Sequence, residues 1–345
     1  MNNIALYFPF IQVPQTRWFT QVLLYWDEVA SIVPFEFIYK PEALGPYMRE
    51  LVKEGLVRQI FPQEYIQNVP RFSESFFEFL DNTPIVRSIR NNFRFRYVEI
   101  HIEKLSDIGR ELCERGLAYQ KNSSWYFVEE NTAIYFMTYL AFVLGQVEHN
   151  FIPVTDYLKN IQIHHMKINK KNLNRMIAKN NFIIDFVESI LPAPSTSVSP
   201  YQIAEFKGRY RDELRRFRQR LESLFINISS IADNSLRQEK IKLARQNFKE
   251  EIEELISKMN ANRWQTMLGS ICAITPLVTE LFTMNSLDNY TGLVTNATSS
   301  LILAVSGAFQ GYRYKQELYR SPLAYAALAH KHFKLVPGPR QSRTI

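Results

Sequence analysis

The sequence is poor in cysteine and has no recognisable catalytic motif. Its two cysteines, Cys113 and Cys272, lie far apart and match no CxxC or Cys/His spacing, so we expect neither a disulfide framework nor a zinc site. No glycine-rich phosphate loop and no nucleophile elbow occurs in the chain, and both motifs carry the chemistry of large enzyme classes. An enzyme is therefore the least supported class of function, and we expect no cofactor, no metal and no small-molecule substrate.

The amino terminus lacks the features of a secretory signal. It has no basic segment at its start, and Pro9 and Pro14 interrupt its apolar run. A signal peptide combines a basic start with a continuous apolar stretch. We therefore expect a cytoplasmic protein. A peripheral or conditional location at the inner membrane is the alternative, because a weakly charged region lies farther along the chain.

Positive charge is scarce in the first part of the chain and abundant in the rest. Residues 1–150 hold 14 lysines and arginines against 18 aspartates and glutamates, whereas residues 151–345 hold 27 against 16. This asymmetry indicates that the second part faces something anionic, such as nucleic acid, a lipid surface or an acidic protein. Solvated helices rich in arginine explain the same balance without any ligand.

The apolar patterns predict an α+β fold with two different parts. A mixed α/β domain covers residues 1–150, and a mainly α-helical carboxy-terminal domain with a long antiparallel helical hairpin follows. The later segments that we predict are a basic helical connector at 151–190, a Pro/Ser linker at 191–200, a heptad-patterned helical hairpin at 201–262, and an apolar helix pair with a C-terminal helix and basic tail at 263–345.

Strand and helix signals alternate in the first domain. The stretch from Ile4 to Val13 predicts a buried strand, Thr16 is a candidate helix cap, and FEFIYK at 35–40 predicts a second strand. Two similar stretches, RELVKEGLVRQ at 49–59 and RELCERGLAYQ at 110–120, recur farther on. Each predicts a helix, a glycine in the left-handed conformation and a strand that begins at leucine.

The strongest strand pattern, FRYVEIHIEK at 95–104, contains the catalytic candidates. Apolar residues alternate there with Glu99, His101 and Glu103. We therefore predict a strand with one apolar face and one face on which two carboxylates flank an imidazole. Such a face is a candidate acid/base or metal cluster. A solvated sheet face is the competing interpretation, since no matching His, Asp or Glu pair stands out elsewhere.

A basic region spans the connector and the first helix of the hairpin. It is a candidate surface for nucleic acid, because lysine and arginine supply the contacts to phosphate. Pairing with the acidic residues 250–254 of the same hairpin is the alternative that we favour. The basic surface consists of Lys167, Lys170, Lys171, Arg175, Lys207, Arg209, Arg211, Arg215, Arg216, Arg218 and Arg220.

Two heptad-like series predict the helices of this hairpin. Apolar residues at heptad spacing form the seam between packed helices. The same pattern also permits pairing between two chains, so a protein partner or self-association is expected. The first series is Tyr210, Leu214, Phe217, Leu221, Leu224 and Ile228, and the second is Ile241, Phe248, Ile252, Leu255 and Met259.

Four blocks of the sequence resemble a bacterial protein family of unknown function. They are the opening IALYFPFIQVPQTRWFTQVLLYWDEVASIVP, then IHIEKLSDIGRELCERGLAY, then AEFKGRYRDELRRFRQRLESL, and finally SPLAYAALAHKHF. The resemblance covers most of the chain. It implies a bacterial, cytosol-made protein without assigned chemistry, and some such families occur near mobile elements and defence genes.

Residues 264–312 predict either a membrane hairpin or a buried helix pair. Between Arg263 and Lys315 the only charged side chains are Glu280, Asp288 and Arg313, which fits a hairpin with both ends on the cytoplasmic side. The short first segment, with Pro276 inside it, favours packing in a water-soluble protein. The small-residue face that would pack in either case consists of Ser300, Ala304, Gly307, Ala308 and Gly311.

Taken together, these patterns favour a non-catalytic intracellular interaction protein, with a bacterial defence or stress-response assembly as its setting. A membrane-active effector that uses residues 264–312 is one alternative. A nucleic-acid-binding protein that uses residues 167–220 is the other, and its binding is expected to weaken steeply with salt.

Overall fold

The chain divides into two compact units. A computed structural model describes residues 4–82, 96–148, 150–156, 179, 182–194, 198–283 and 318–333, with the backbone alone over 261–283. The first unit comprises Met1–Glu188 and Ala193–Gly208, and the second comprises Ser189–Pro192 and Arg209–Ile345. The first unit mixes α and β structure and the second is helical, as the sequence predicts. The finer segment boundaries stay predictions.

A parallel sheet of four strands forms the centre of the first unit. The strands are β1 (Ile4–Tyr7), β2 (Glu28–Ile32), β3 (Val57–Ile60) and β7 (Phe151–Val154), in the order β3-β2-β1-β7. All three pairings are parallel. Strand β1 is buried at every residue, because helices cover both faces of such a sheet and its strands become continuous apolar runs. The strand predicted from Ile4 to Val13 is thus confirmed over Ile4–Tyr7, and residues 8–13 are not part of it.

Strand β1 lies between β2, the next strand in the chain, and β7, the last one described. The chain passes from β1 to β2 and β3 on one side, and it returns to the other side only at β7, after residue 150. In open parallel sheets, ligands bind outside the carboxyl ends of the strands near such a reversal. The reversal lies between β1 and β7, and the segments that follow β2 and β3 leave the sheet at the same carboxyl edge.

The helices of the parallel part follow the strands closely. Helix α1 (Arg17–Tyr25) begins at Thr16, whose hydroxyl accepts a hydrogen bond from the N–H of Phe19 at 3.2 Å, as predicted. Helix α2 (Phe35–Tyr39) replaces the strand predicted at 35–40. A 3-10 turn (Pro41–Ala43), α3 (Pro46–Lys53), α4 (Gln63–Ile66) and α5 (Phe72–Asp81) follow.

The described residues of this unit also form an antiparallel sheet of three strands. Strand β4 (Tyr97–His101) leads through α6 (Ile102–Leu105) and α7 (Ile108–Glu114) to β5 (Ala118–Gln120) and β6 (Trp125–Glu129). The strand order is β4-β6-β5. Helix α8 (Glu130–Val147) then runs through the core, and most of its residues are buried. The buried Glu129 side chain caps its start by accepting hydrogen bonds from the N–H groups of Asn131 and Thr132.

The two similar sequence stretches adopt the same local structure. Gly55 follows α3 with φ of 68°, and Gly116 follows α7 with φ of 73°. A left-handed residue at this position ends a helix and costs glycine no steric strain. The leucine after each glycine donates its N–H to a carbonyl of the helix, and β3 or β5 follows. The predicted helix, glycine and strand are thus confirmed in both copies.

Two further helices precede the long helices of the chain. Helix α9 covers residues 182–190, and α10 (Pro200–Arg209) follows the predicted linker. Helix α10 packs in the first unit, where the Lys207 amine donates hydrogen bonds to the carbonyls of Trp26 and Asp27. These two carbonyls follow the last turn of α1, so Lys207 is part of a structural contact.

Three helices form the described core of the second unit. They are α11 (Arg211–Ser229), α12 (Asn234–Thr283) and α13 (Ala324–His332). The apolar seam of α11 is buried as predicted, with Phe225 in place of Leu224. Among the described side chains of α12, Phe248, Ile252, Leu255 and Met259 are buried, whereas the predicted Ile241 is half-buried. The guanidinium of Arg220 lies 5.6 Å from the ring of Phe248, which places residues on either side of the turn at 230–233 together, as in an antiparallel pair.

Candidate functional site

The catalytic candidates lie where β4 meets α6. The predicted alternation is wrong at this point, because the strand ends at His101 and a helical turn begins at Ile102. As a result His101 is buried at 5% exposure, while Glu99 is exposed. The side chain of Glu99 pairs with Lys121 at 2.5 Å. The structure therefore separates Glu99 from the other two candidates.

His101 and Glu103 lie close together, and Glu36, which the sequence pattern did not indicate, lies beside the same imidazole. The Nδ1 atom of His101 accepts a hydrogen bond from the N–H of Glu103 at 3.3 Å and lies 3.7 Å from its carboxylate. The carboxylate of Glu36, on α2, lies 3.8 Å from the Nε2 atom of His101. The ring of Trp125 packs edge-on against the imidazole, with 4.9 Å between the ring centres.

Glu103 holds this group of residues at the carboxyl end of the parallel sheet. Its carboxylate accepts the N–H of Phe35, the first residue of α2, at 2.7 Å. Its carbonyl accepts a hydrogen bond from the amide of Gln63, the first residue of α4, at 2.8 Å. Because α2 follows β2 and α4 follows β3, helix α6 lies beside the carboxyl ends of both strands. This is the edge at which ligands of parallel sheets bind.

The surroundings of His101 favour its neutral form. Burial lowers the pKa of the imidazole, the carboxylates of Glu103 and Glu36 oppose this change, and the charge of Lys104 adds to it. Since Nδ1 accepts a hydrogen bond, the ring proton of neutral His101 belongs on Nε2, which faces Glu36. The Nε2 atom of the neutral ring is therefore a hydrogen-bond donor on the side of Glu36.

Lys104 is the second residue that the sequence reading missed. Its side chain is 3% exposed, and no described residue forms an ion pair or a hydrogen bond with its amine. Burial in a poorly solvated environment disfavours the ammonium form and lowers the pKa of Lys104 to about 7. Nothing in the letters HIEKLSDI distinguishes this lysine from an exposed one, because its burial results from the tertiary packing of a four-residue helix.

The cluster does not have the composition of a metal site. In the part of the chain that the structure describes, no three His, Cys, Asp or Glu side chains are grouped so as to hold a metal ion. The Nδ1 atom of His101 already accepts a hydrogen bond, and the two carboxylates face different ring nitrogens. A single ion therefore cannot bind both carboxylates through this ring.

The predicted basic surface is partly used in internal contacts. Arg216 donates to the carboxylate of Glu213 and to the carbonyl of Tyr319, and Arg215 pairs with Asp212 along α11. Arg209 and Arg211 are exposed and Arg218 is half-buried. Lys167, Lys170, Lys171 and Arg175 lie outside the described residues.

The favoured pairing of this surface with residues 250–254 is wrong for the described contacts. Glu250 accepts a hydrogen bond from Gln246, Glu251 from Ser321, and Glu254 pairs with Lys258. The partners of these carboxylates are thus Gln246 and Lys258 of the same helix and Ser321, and not the arginines of the basic surface. The two contacts within α12 join residues four apart, which are neighbours on a helix surface.

A family comparison identifies the group of proteins to which the chain is related. A family model described as a family of unknown function, DUF6236, matches residues 155–334, just over half of the chain. The chain belongs to this family. No curated protein and no solved structure matches the chain. The predicted resemblance to a family without assigned activity is confirmed.

The DUF6236 match covers the helical unit but not the His101 cluster. Residues 155–334 include α11, α12 and α13, whereas Glu36, His101 and Lys104 precede the matched range. The family description names no ligand and no reaction. The function of this DUF6236 protein must therefore be argued from its own residues.

The predicted membrane segment of this DUF6236 protein is only partly described. Helix α12 continues without a break to Thr283 and so includes the first part of residues 264–312. Within the described ranges, every helix falls short of the combined length and apolarity that a membrane crossing requires. The small-residue face of Ser300, Ala304, Gly307, Ala308 and Gly311 lies outside the described residues, and its role stays a prediction.

The first four turns of α12 carry an exposed apolar face. Leu236 and Leu243 are 43% and 48% exposed, and their seven-residue spacing places them on one side of the helix. Glu239 and Lys240 lie between them and are also exposed. Neither forms an ion pair with a described residue. We call these four residues the α12 face.

Proposed function

We propose that this protein is a non-catalytic interaction protein and that its α12 face binds a second copy of the chain. The observation that supports the proposal is the pair of exposed leucines with a free acid and a free base between them. Large apolar side chains on a solvated helix are typical of contact surfaces when they recur at heptad spacing.

The order of the four residues fits a two-fold antiparallel pairing. If two α12 helices cross with the midpoint between residues 239 and 240, Leu236 of one copy lies level with Leu243 of the other. In the same arrangement Glu239 lies level with Lys240 of the other copy. Each leucine then meets a leucine and each carboxylate meets an amine, as a self-complementary interface requires.

The expected dimer is weak. The face extends over eight residues, or about 11 Å along a helix, and it supplies two leucines from each copy. Stable interfaces bury more than about 1,000 Å² in total, which a patch of this size does not reach alone. Association is therefore expected to depend on concentration and to be in rapid exchange.

A charge swap tests this pairing in the purified full chain. Glu239→Lys alone sets two lysines against each other across the interface, so sedimentation velocity should show loss of the dimer at concentrations where the parent chain associates. Adding Lys240→Glu restores an opposite-charge pair at both places, and the dimer should return. Gln238→Lys is the matched control, since it adds a charge at an exposed position on the other side of α12.

Recovery of the dimer in the double variant supports the α12 face. A monomeric parent chain at every concentration tested would overturn the choice of a second copy as partner. Equal association of all three chains would overturn the location of the interface. Circular dichroism melting of each variant separates these outcomes from misfolding, because substitutions at exposed positions change stability by less than about 0.5 kcal/mol.

The cellular setting that we propose is a bacterial defence or stress-response assembly inside the cell. This setting rests on the family resemblance alone. Deletion of the gene in its own host should change survival after phage challenge or stress, and restoration with the Glu239→Lys variant should fail if pairing is needed. Unchanged survival of the deletion strain under all these challenges would contradict the setting.

Nucleic-acid binding is the second candidate function. It is supported by Arg209, Arg211 and Arg215, which are exposed. Arg215 already has an exposed carboxylate partner, Asp212, at 3.2 Å. If this surface binds phosphates, affinity for duplex DNA or RNA should fall steeply as salt rises. Binding that does not change when Arg209 and Arg211 become glutamine would reject this surface.

A further inference from the structure

Helix α2 presents aromatic side chains to solvent at the carboxyl edge of the parallel sheet. Its sequence FEFIY contains three rings, yet none of its five residues is buried. Phe35 is 44% exposed and Tyr39 is 69% exposed. Their ring centres are 4.5 Å apart, and the ring of the half-buried Phe61, which follows β3, lies 5.5 Å from that of Phe35. We call Phe35, Tyr39 and Phe61 the aromatic patch.

Polar contacts hold α2 in place without covering these rings. The N–H of Phe35 donates to the carboxylate of Glu103 at 2.7 Å, and the carbonyl of Phe37 accepts a hydrogen bond from the amide of Gln59 at 2.8 Å. A helix of five residues is too short to be stable through its own hydrogen bonds, so these contacts with α6 and β3 fix it. The rings are thus held ready for a partner, which lowers the entropy that binding costs.

Carboxylates form the rim of the aromatic patch. The side chain of Glu36 is 48% exposed and that of Glu103 is 34% exposed. Glu36 and Tyr39 are three residues apart on α2 and are therefore neighbours on its surface. Residues 35–43 contain a second carboxylate, Glu42, and a single amine, that of Lys40. Contiguous exposed apolar surface with a polar rim is typical of interaction sites.

The combination of rings and carboxylates selects the chemistry of the partner. The guanidinium of arginine stacks on aromatic faces and pairs with carboxylates through parallel hydrogen bonds. A phosphate chain would be repelled by Glu36 and Glu103, and an uncharged apolar partner would desolvate them without pairing them. Residues 1–150 hold 18 aspartates and glutamates against 14 lysines and arginines, so the wider charge of this part also favours a basic partner.

We propose that the aromatic patch, together with Glu36 and Glu103, binds an arginine-bearing segment of a partner protein. The guanidinium lies over the ring of Tyr39, the most exposed of the three rings, and donates to the neighbouring carboxylate of Glu36. The aliphatic part of the arginine covers the ring of Phe35. No residue of the α12 face takes part, so this surface is independent of the self-association proposed above.

Peptide binding to the purified full chain tests this proposal. Fluorescence anisotropy measures the affinity for labelled hexa-arginine, hexa-lysine and hexa-citrulline, the last of which replaces each guanidinium by an uncharged group of similar shape. Hexa-arginine should bind most tightly. Hexa-lysine should bind more weakly, because an ammonium has no planar face to stack on a ring. Hexa-citrulline should bind least, and added salt should weaken the binding of hexa-arginine.

Two substitutions at exposed positions locate the binding. Tyr39→Ala removes one ring and should weaken the binding of hexa-arginine about two- to five-fold, as expected for a cation–π contact at an exposed site. Glu36→Gln keeps the shape of the side chain and should weaken both the binding and its dependence on salt. Tyr201→Ala on α10 and Glu114→Gln on α7 are matched controls at exposed positions and should leave the affinity unchanged. Circular dichroism establishes that each variant is folded.

Several results would overturn the proposal. They are the absence of binding to hexa-arginine, equal affinities of the parent, Tyr39→Ala and Glu36→Gln chains, and equal affinities for hexa-arginine and hexa-citrulline. Loss of self-association in Tyr39→Ala, measured by sedimentation velocity, would identify a second copy as the occupant and overturn a separate partner. The Glu239→Lys variant should bind hexa-arginine as the parent chain does, so failure of the α12 pairing and failure of this site are distinguishable.

Discussion

The two units place their charged and polar groups in opposite ways. Every buried polar or charged side chain among the described residues belongs to the first unit, including His101, Lys104 and Glu129. In the second unit, Arg215 pairs with Asp212 and Lys258 with Glu254 along single helices, and all four side chains are exposed. Within the described residues, buried carboxylate, amine and imidazole groups are thus a feature of the first unit.

The largest expected effect concerns the apolar core on which the second unit depends. Phe217 is fully buried and stacks on Tyr325 with 6.1 Å between the rings. Phe217→Ala should lower the free energy of unfolding by about 3–5 kcal/mol, since it removes a buried ring and leaves a cavity. Urea unfolding followed by circular dichroism measures the loss.

Ile226 is the matched control for this substitution. It lies on the same helix but is 59% exposed, so Ile226→Ala should change stability by less than about 0.5 kcal/mol. Equal losses from both substitutions would contradict the division of α11 into a buried seam and a solvated side.

The next effect depends on the buried amine of the first unit. The folded pKa of Lys104, about 7, is below the unfolded value of 10.5, so the unfolded chain binds more protons between these values and stability rises with pH across this window. Lys104→Met removes the cost of burying the amine. At pH 7 the variant should be more stable by about 4 kcal/mol, and the gain should shrink toward pH 10.

Urea unfolding at several pH values measures this difference. Lys121→Met is the control, because Lys121 is partly exposed and paired with Glu99. A Lys104→Met variant that is less stable than the parent chain at pH 7 would show that the amine has a stabilising partner. The contrast between the two units would then be lost.

A smaller effect is expected at the start of α8. Glu129 accepts hydrogen bonds from the N–H groups of Asn131 and Thr132. Glu129→Ala should therefore cost about 2 kcal/mol, as loss of a helix cap does at the upper end of its range. Glu129→Gln keeps an acceptor and should recover part of the loss in the same unfolding experiment. A fully stable alanine variant would contradict the cap.

The helices of the second unit could be predicted because their evidence is local. The spacing of Leu214, Phe217 and Leu221 already defines one side of a helix, and these residues are buried as expected. Strand β1 could be predicted for the same reason, since its continuous apolar run needs no partner to be recognised. The sequence gives no sign that Leu236 and Leu243 are exposed, because leucine at this spacing is equally common in the buried seam between two helices.

The cluster of the first unit could not be predicted because its members come from distant parts of the chain. Phe35 begins a helix whose first N–H is accepted by Glu103, which is 68 residues away in sequence. The apolar and aromatic letters of 35–40 favour a strand when read alone, and this tertiary contact overrides them. Glu36 reaches His101 only through the same arrangement.

Cross-linking between differently labelled chains tests the proposed pairing most directly. In a background with Cys113→Ser and Cys272→Ser, one chain carries Leu236→Cys and another carries Leu243→Cys. The antiparallel pairing predicts that the mixture forms disulfide-linked dimers faster than either chain alone, because residues 236 and 243 of different copies are level. Faster linking of each chain with itself, or no linking at any concentration, would contradict the α12 face as the site of self-association.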